Sequence, residues 1–205
     1  MHRSETLRIA ALVPESIVDG PGIRCALFTQ GCPHACPGCH NSHTWDICAG
    51  EKRSIVDLSR EIRSNARVRA ISVSGGEPLC QADSLALLLK PFAQEGYSIW
   101  LYTGFVFEDV LVYLARSANP QSAKALSRMQ ACSVWGLKEL LECVDVLIDG
   151  PFVEDLYDYT LLYRGSSNQR ILDCKRSMQE KRAILFDMIS QDFDILEAFT
   201  KPPSW

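Results

Sequence analysis

Apolar and polar residues alternate along the chain in short blocks that predict strands separated by helices. Most of the apolar blocks are bounded by glycine, proline or polar turn residues, which is typical of buried strands. The first apolar stretch is Leu7–Val13. Strands are predicted over Arg24–Thr29, Ala70–Ser74, Tyr97–Tyr102 and Val144–Ile148.

Between these blocks, apolar residues recur at helical spacing. Ser54 is a suitable N-cap for a helix that is expected to reach about Ala66. A second helix over Ala82–Glu95 contains Pro91, which is expected to bend or shorten it, and Gly96 is the residue type that follows a helix end. Further helices are expected over Phe107–Arg116, Leu137–Cys143 and Lys175–Ser190, with a loop over Ser117–Ser133.

Strands that alternate with amphipathic helices predict an α/β fold, built from βαβ units around a mostly parallel sheet. The predicted strands are too few for a complete barrel of eight strands, so the expected architecture is an incomplete (partial) barrel or an open sheet. The chain has 205 residues, a length that predicts a single domain over 1–205.

Four groups of candidate residues each follow a predicted strand. They are the cysteine-rich loop after Thr29, Ser74-Gly75-Gly76-Glu77-Pro78, Tyr102-Thr103-Gly104, and Asp149-Gly150. The carboxyl ends of parallel strands meet at one edge of a sheet, and ligands of such folds bind beyond that edge. We therefore expect the four groups to form one site.

The composition excludes several classes of function. Hydrophobic residues make up 47% of the chain and charged residues 22%, and the net charge of -4 gives no basic field for nucleic acid or an anionic membrane. No apolar run reaches the roughly 20 residues that span a bilayer. Met1–Val13 is too interrupted by charged residues for a signal peptide. We expect a cytoplasmic protein with no nucleic-acid or membrane partner.

Nine cysteines are many for a chain in a reducing compartment, and the odd number argues against a purely disulfide framework. Three of them, Cys32, Cys36 and Cys39, lie within eight residues. The other six are scattered singly and are expected to be small buried hydrophobic residues, although Cys25 and Cys48 flank the group of three. The three clustered cysteines are therefore the candidates for metal binding or catalysis.

The cysteine loop has the spacing C-x3-C-x2-C, and two prolines and two glycines bend and stiffen it. A structural zinc site needs four ligands, so zinc would require His40 or Cys48 as the fourth. Electron-transfer ferredoxins use four cysteines at other spacings. Three cysteines around a four-iron cluster would leave one iron open to a substrate, which favours a catalytic cluster over a non-catalytic metal-binding module.

The cysteine spacing resembles the signature of the radical S-adenosylmethionine superfamily. The wider sequence is similar to the activating proteins of anaerobic ribonucleoside-triphosphate reductase over about residues 13–172, with a helical extension expected over about 175–205. The motifs that carry this resemblance are Asp19–Arg24, Cys39-His40-Asn41, Thr44-Trp45, Ser74–Leu79, Trp100–Phe105, Leu147–Phe152 and Arg164–Arg170. The resemblance implies an incomplete radical-SAM β/α barrel, one [4Fe-4S] cluster, and S-adenosylmethionine as a second cofactor.

The resemblance also implies roles around the cluster. Cys32, Cys36 and Cys39 would ligate three irons, and Gly38 and His40 would lie against the adenosyl group. Many members of the superfamily have an aromatic residue where this chain has His40, and an imidazole can still stack on adenine.

Further roles follow for the loops after the strands. Gly75 and Gly76 would let the backbone approach the ligand, and Glu77 would accept from the methionine amino group or the ribose. Asp149 would orient substrate or ligand, and Arg164 would pair with the methionine carboxylate or with a partner protein. The alternatives are a plain tight turn at Gly75–Glu77, a turn-forming aspartate before Gly-Pro, and a surface arginine.

The function that the resemblance implies is activation of anaerobic ribonucleoside-triphosphate reductase by formation of a glycyl radical on that protein. A reduced flavodoxin- or ferredoxin-type protein is the expected electron donor. The alternatives are an activase of another glycyl-radical enzyme and a small-molecule radical enzyme. The stretch Arg164–Arg170 favours the reductase activase.

Overall fold

Seven strands form one open sheet in the computed structural model, which describes residues 5–115 and 134–188. The strand order is β3-β1-β2-β4-β5-β6-β7. β2, β4, β5 and β6 run parallel, β1 is antiparallel to both of its neighbours, and β7 is antiparallel to β6, so five of the seven strands point the same way. The bounds are β1 Thr6–Ser16, β2 Arg24–Thr29, β3 Glu51–Ser54, β4 Ala70–Gly75, β5 Ser98–Tyr102, β6 Val146–Asp149 and β7 Arg170–Asp173.

This architecture confirms the prediction of an α/β fold with a mostly parallel sheet that does not close into a full barrel. β3 and β7 are the two outer strands, and the sequence pattern had identified neither. Both are only four residues long and rich in charged or polar side chains, so they lack the apolar run that marks a buried strand. No helix in the described part of the chain is long and apolar enough to cross a membrane.

Five helices accompany the sheet in the described residues: α1 Ile55–Ser64, α2 Ala82–Gln94, α3 Phe107–Ala115, α4 Val134–Cys143 and α5 Cys174–Glu180. Ser54 caps α1 as predicted, since its hydroxyl accepts from the N–H of Val56. Gly96 follows α2 with φ of +79°, and the N–H of Tyr97 reaches back to the carbonyl of Phe92. That pattern is a Schellman motif, and a left-handed glycine is its usual residue.

The main core lies between the sheet and the helices. Alternate side chains of the central strands point to opposite faces, so Ile99 and Leu101 pack on the helical side and Trp100 on the inner side. Leu85, Leu89 and other apolar residues of α2 fill the helical side and are fully buried. The helices therefore leave the inner face of the sheet available for a site.

The C-terminal segment covers part of the inner face instead of continuing as a helix. The helix predicted over Lys175–Ser190 ends at Glu180, because Lys181 takes a left-handed conformation with φ of +53°. The chain then runs extended beside β7, and Phe186 packs on Trp100. The second half of that helix prediction is wrong for the described residues, and residues 189–205 and the loop predicted over 117–133 lie outside them.

Arg24 ties three parallel strands together on the inner face. The side chain is 1% exposed, and its guanidinium donates to Ser72 Oγ at 2.7 Å, to the Ile71 carbonyl at 2.9 Å and to the Ser98 carbonyl at 3.0 Å. Burial lowers the pKa of Arg24 to about 10. The side chain also lies over the ring of Trp100, 5.2 Å from its centroid.

Replacing Arg24 by Met is expected to lower the free energy of unfolding by about 3 kcal/mol, because buried acceptors on β4 and β5 lose their donor. Urea unfolding followed by circular dichroism measures the change. Arg60→Met is the matched control, since Arg60 is 74% exposed and pairs only with Asp57 on the same helix turn; its expected effect is within about 0.5 kcal/mol. Equal losses for the two variants would show that Arg24 does not tie the strands together.

Candidate functional site

The cysteine loop leaves the carboxyl end of β2 and is fixed by backbone hydrogen bonds. The N–H of Gly31 donates to the Thr44 carbonyl at 2.7 Å, and the N–H of Cys32 donates to the Trp45 carbonyl at 3.2 Å. The N–H of Cys39 closes a turn on the Cys36 carbonyl at 3.2 Å. Gly38 within that turn has φ of +71°, a conformation that favours glycine.

The three loop cysteines line one cleft of about 440 Å³. Their side chains are partly exposed, and burial raises the pKa of Cys32 to about 11. The same cleft is lined by residues at the carboxyl ends of β4, β5 and β6 and by the loop that precedes β7, so the strand ends meet there as predicted. Its other polar and aromatic lining residues include His34, His40, Ser74, Tyr102, Thr103, Phe152, Tyr157, Tyr163, Arg164 and Gln169.

The donor set of the cleft fits an iron–sulfur cluster better than a single ion. In the described residues, no group of three or more His, Cys, Asp or Glu side chains is placed to hold one metal ion. Of the two candidates for a fourth zinc ligand, Cys48 is exposed and outside the residues that line the cleft, whereas His40 lines it. Three soft thiol ligands on one loop match the ligand chemistry of iron–sulfur clusters.

Gly75 and Gly76 follow Ser74, which lines the cleft, and the space beside the two glycines is filled by the backbone of residues 29 and 31. A Cβ on Gly75 would lie 2.6 Å from the backbone N and O of Thr29, and one on Gly76 would overlap the Gly31 carbonyl oxygen. The N–H of Gly76 donates to Thr29 O at 2.7 Å. The missing side chains therefore admit the protein's own backbone, and the expected approach of this backbone to a ligand stays a prediction.

The carboxylate of Glu77 is fully buried and surrounded by donors of the protein. Its Oε1 accepts from Thr103 Oγ1 at 2.8 Å and from the N–H of Leu79 at 3.0 Å. Its Oε2 lies 2.8 Å from His34 Nε2 and accepts from the N–H of Gly104 at 2.9 Å. Four partners within the protein therefore contact the oxygens of Glu77, and the expected contact with a ligand stays a prediction.

An aromatic cluster forms one wall of the cleft beside the third cysteine. The ring of His40 lies 6.0 Å from that of Phe152 and 5.8 Å from that of Tyr157. Gly38 lies against the carboxylate side chain of Glu154, so a Cβ there would come within 2.9 Å of Glu154 Cδ. The structure therefore places His40 in a cluster of rings inclined to it by 39° and 74°, in which the face of a single ring could stack on an adenine.

Arg164 reaches the cleft from the loop before β7. One of its amino groups donates to the Gln169 carbonyl at 3.0 Å, while its Nε is buried and has no hydrogen-bond partner in the part of the chain that the structure describes. Gln169 Oε1 in turn accepts from the N–H groups of Gly165 and Ser166, which shapes the loop. A buried donor without an acceptor, on a cleft wall, is suited to a ligand carboxylate.

Asp149 ends β6 but takes a structural role. Its carboxylate is 1% exposed and accepts from Arg170 Nε at 3.0 Å and from the N–H of Phe107 at 2.8 Å. Arg170 also binds Glu108 through both of its amino groups, at 3.0 and 2.6 Å. This ion-pair network joins β6, β7 and the start of α3, and the expectation that Asp149 orients a ligand stays a prediction.

Sequence reasoning did not assign roles to several residues of the site. His34, Phe105, Tyr157 and Gln169 organise it. The position of His34 between Cys32 and Cys36 is the one local signal that could have marked it. The others depend on contacts between segments that are distant in the chain.

Comparisons with known proteins identify the family of this chain. The family profile described as "4Fe-4S single cluster domain" matches residues 18–172, which places the chain among proteins that hold one iron–sulfur cluster. The chain is 35% identical to the anaerobic ribonucleoside-triphosphate reductase-activating protein of Salmonella typhimurium over 174 residues, covering 80% of this chain and 96% of the relative. It therefore belongs to the family of anaerobic ribonucleoside-triphosphate reductase-activating proteins.

Other family members have similar sequence identities to this chain and cover similar shares of it. The activating protein of Escherichia coli K12 is 35% identical over 76% of this chain and 92% of its own length, and that of Enterobacteria phage T4 is 32% identical over 78% and 90%. Among solved structures, QueE from Escherichia coli aligns over 48% of this chain and 52% of its own, with a TM-score of 0.39 and 22% identity.

Arg170→Met is expected to lower the free energy of unfolding by about 3 kcal/mol, because it leaves the buried Asp149 carboxylate without its cation. Glu108→Gln removes the exposed partner of the same arginine, and its expected cost is about 1 kcal/mol or less. Urea unfolding of both variants measures the difference. A loss at Glu108 as large as that at Arg170 would contradict the structural role assigned to Asp149.

Proposed function

We propose that this protein is an iron–sulfur radical S-adenosylmethionine enzyme that generates a glycyl radical on anaerobic ribonucleoside-triphosphate reductase. The observation that carries the proposal is the cleft that three cysteines of one loop line together with the ends of the parallel strands. Membership of the family of activating proteins supports the reductase as the target protein. A reduced flavodoxin- or ferredoxin-type protein is the proposed electron donor.

The residues of the cleft divide into those that hold the cluster and those that hold the ligand. Cys32, Cys36 and Cys39 would bind three irons as thiolates. When bound, the cluster and S-adenosylmethionine supply a one-electron cleavage that gives methionine and an adenosyl radical able to take a hydrogen atom from a glycine α-carbon. Because the pKa of Cys32 is raised, its coordination to iron releases a proton.

The ligand is proposed to lie between the cluster and the two walls of the cleft. Arg164 Nε, which is buried and has no partner within residues 5–115 and 134–188, would donate to the methionine carboxylate. The rings of His40, Phe152 and Tyr157 would hold the adenosyl group and exclude water from it. These residues position the ligand, and none of them is required to transfer a proton.

The mouth of the cleft suits a protein substrate. Several apolar side chains that line it are exposed: Tyr159 is 86% exposed, Val18 73% and Tyr157 50%. Exposed apolar residues beside a binding cleft are typical of contacts with a partner surface. A flexible loop that carries a glycine could enter this mouth, because glycine has no side chain to shield its α-carbon.

The proposal is tested by anaerobic reconstitution of the protein, followed by incubation with S-adenosylmethionine, a reductant and anaerobic ribonucleoside-triphosphate reductase. The expected result is an organic radical on the reductase, detected by electron paramagnetic resonance, together with release of methionine. Cleavage of S-adenosylmethionine with no radical on the reductase would point to a different target. Absence of any cleavage would overturn the proposal.

Single replacement of Cys32, Cys36 or Cys39 by Ser is expected to abolish stable cluster binding, because each thiolate holds a separate iron. Iron and sulfide analysis after reconstitution should give about four of each per wild-type chain and little in these variants. Cys80→Ser and Cys143→Ser are the controls, since neither residue lines the cleft. Loss of iron in the controls with retention in the loop variants would refute the assignment.

Arg164→Gln is expected to weaken S-adenosylmethionine binding about 10-fold or more, since a charged hydrogen bond to a carboxylate is lost. Equilibrium dialysis with the reconstituted protein measures the dissociation constant. Arg176→Gln is the matched control, because Arg176 is 61% exposed and lies on α5 outside the cleft lining. Unchanged affinity in Arg164→Gln would remove Arg164 from the ligand site.

A further inference from the structure

Two separate contacts from Glu77 flank the first cluster cysteine. Its backbone N–H donates to the carbonyl of Gly31 at 2.8 Å, one residue before Cys32. Its carboxylate lies 2.8 Å from the ring nitrogen of His34, two residues after Cys32. The short segment that carries Cys32 is therefore held at both ends by one residue at the end of β4.

The imidazole of His34 is enclosed on its other sides as well. Its side chain is 5% exposed, and its ring makes an edge contact with Phe105 at 4.4 Å between centroids. A Cβ on Gly104 would lie 2.6 Å from His34 Cδ2, so the ring fits only because residue 104 is glycine. The enclosure gives His34 a single orientation, in which it meets the carboxylate of Glu77.

We propose that Glu77 is a positioning residue that fastens the cysteine loop to the ends of β4 and β5 through His34. Its carboxylate joins three segments: the cysteine loop at His34, the end of β4, and the start of the next loop at Thr103 and Gly104. The position of Cys32 relative to the strand ends is set by this junction. This inference deepens the proposed function. Its spectroscopic test on the reconstituted cluster rests on that function.

Direct contact with the ligand would require a different environment for Glu77 than positioning of the cysteine loop does. A ligand amino group would need a carboxylate oxygen with free acceptor capacity that faces the cleft, whereas Glu77 is 0% exposed and does not line it. A positioning role needs the carboxylate and the imidazole to act as one unit. Replacement of either partner should then have the same consequence, and replacement of both should add little.

The test is a double-mutant cycle on the full-length chain with Glu77→Gln, His34→Leu and the two combined. Hydrogen exchange of residues 31–36 in the iron-free protein measures how firmly the loop is held. Each single variant is expected to exchange about 10-fold faster than wild type in this segment, and the double variant no faster than the singles. His34→Gln, which keeps a donor near the position of the ring nitrogen, is expected to restore slow exchange.

Thr103→Val is the matched control. It removes one donor to Glu77 Oε1 and leaves the contact between Glu77 and His34 in place. Its expected effect is a lower overall stability with unchanged relative exchange of residues 31–36. Since His34→Leu leaves the other contacts of Glu77 intact, that variant keeps the test decisive even if Glu77→Gln does not fold.

Reconstituted samples provide a second measurement. Both single variants are expected to change the electron paramagnetic resonance spectrum of the reduced cluster in the same way. Wild-type exchange in His34→Leu, or effects of the two single variants that add, would overturn the positioning role. Failure of the wild-type protein to cleave S-adenosylmethionine would overturn the proposed function alone, because the exchange measurement needs no iron.

Discussion

The site depends on close backbone contact between the cysteine loop and the end of β4. Thr29 and Gly31 occupy the positions where side chains on Gly75 and Gly76 would stand. Hydrogen bonds from the N–H groups of Gly76 and Glu77 then fix the two segments against each other. Backbone contact of this kind leaves little freedom for rotation, so the thiols are presented in one direction relative to the sheet.

The polar groups around the cleft fall into two sets with different consequences. The buried carboxylates of Glu77 and Asp149 are satisfied by donors of the protein, so their charge stabilises the walls. The buried Nε of Arg164 has no such partner in the residues that the structure describes. Among the described residues, Arg164 therefore offers a donor for the proposed ligand carboxylate, whereas Glu77 and Asp149 make contacts within the protein.

Sequence patterns located the local features of the fold and missed the long-range ones. Ser54 and Gly96 were assigned correctly, because capping depends on a few neighbouring residues. The contacts of Glu77 with His34 and of Asp149 with Arg170 were not predicted, since these partners lie 43 and 21 residues away in the chain. A carboxylate next to a turn looks the same in the sequence whether it faces a ligand or a distant side chain.

The segment that carries Phe186 has a consequence for the order of events at the cleft. It packs on Trp100 and, with Tyr163, blocks the inner face of the sheet below the site. In the described part of the chain, the helices cover the opposite face of the sheet. Molecules that reach the thiols therefore enter through the mouth of the cleft at the strand ends. Under the proposed function, a small cofactor and a protein loop would share this entrance, so the cofactor would have to bind before the loop. The bound loop would then close the mouth of the cleft over the cofactor.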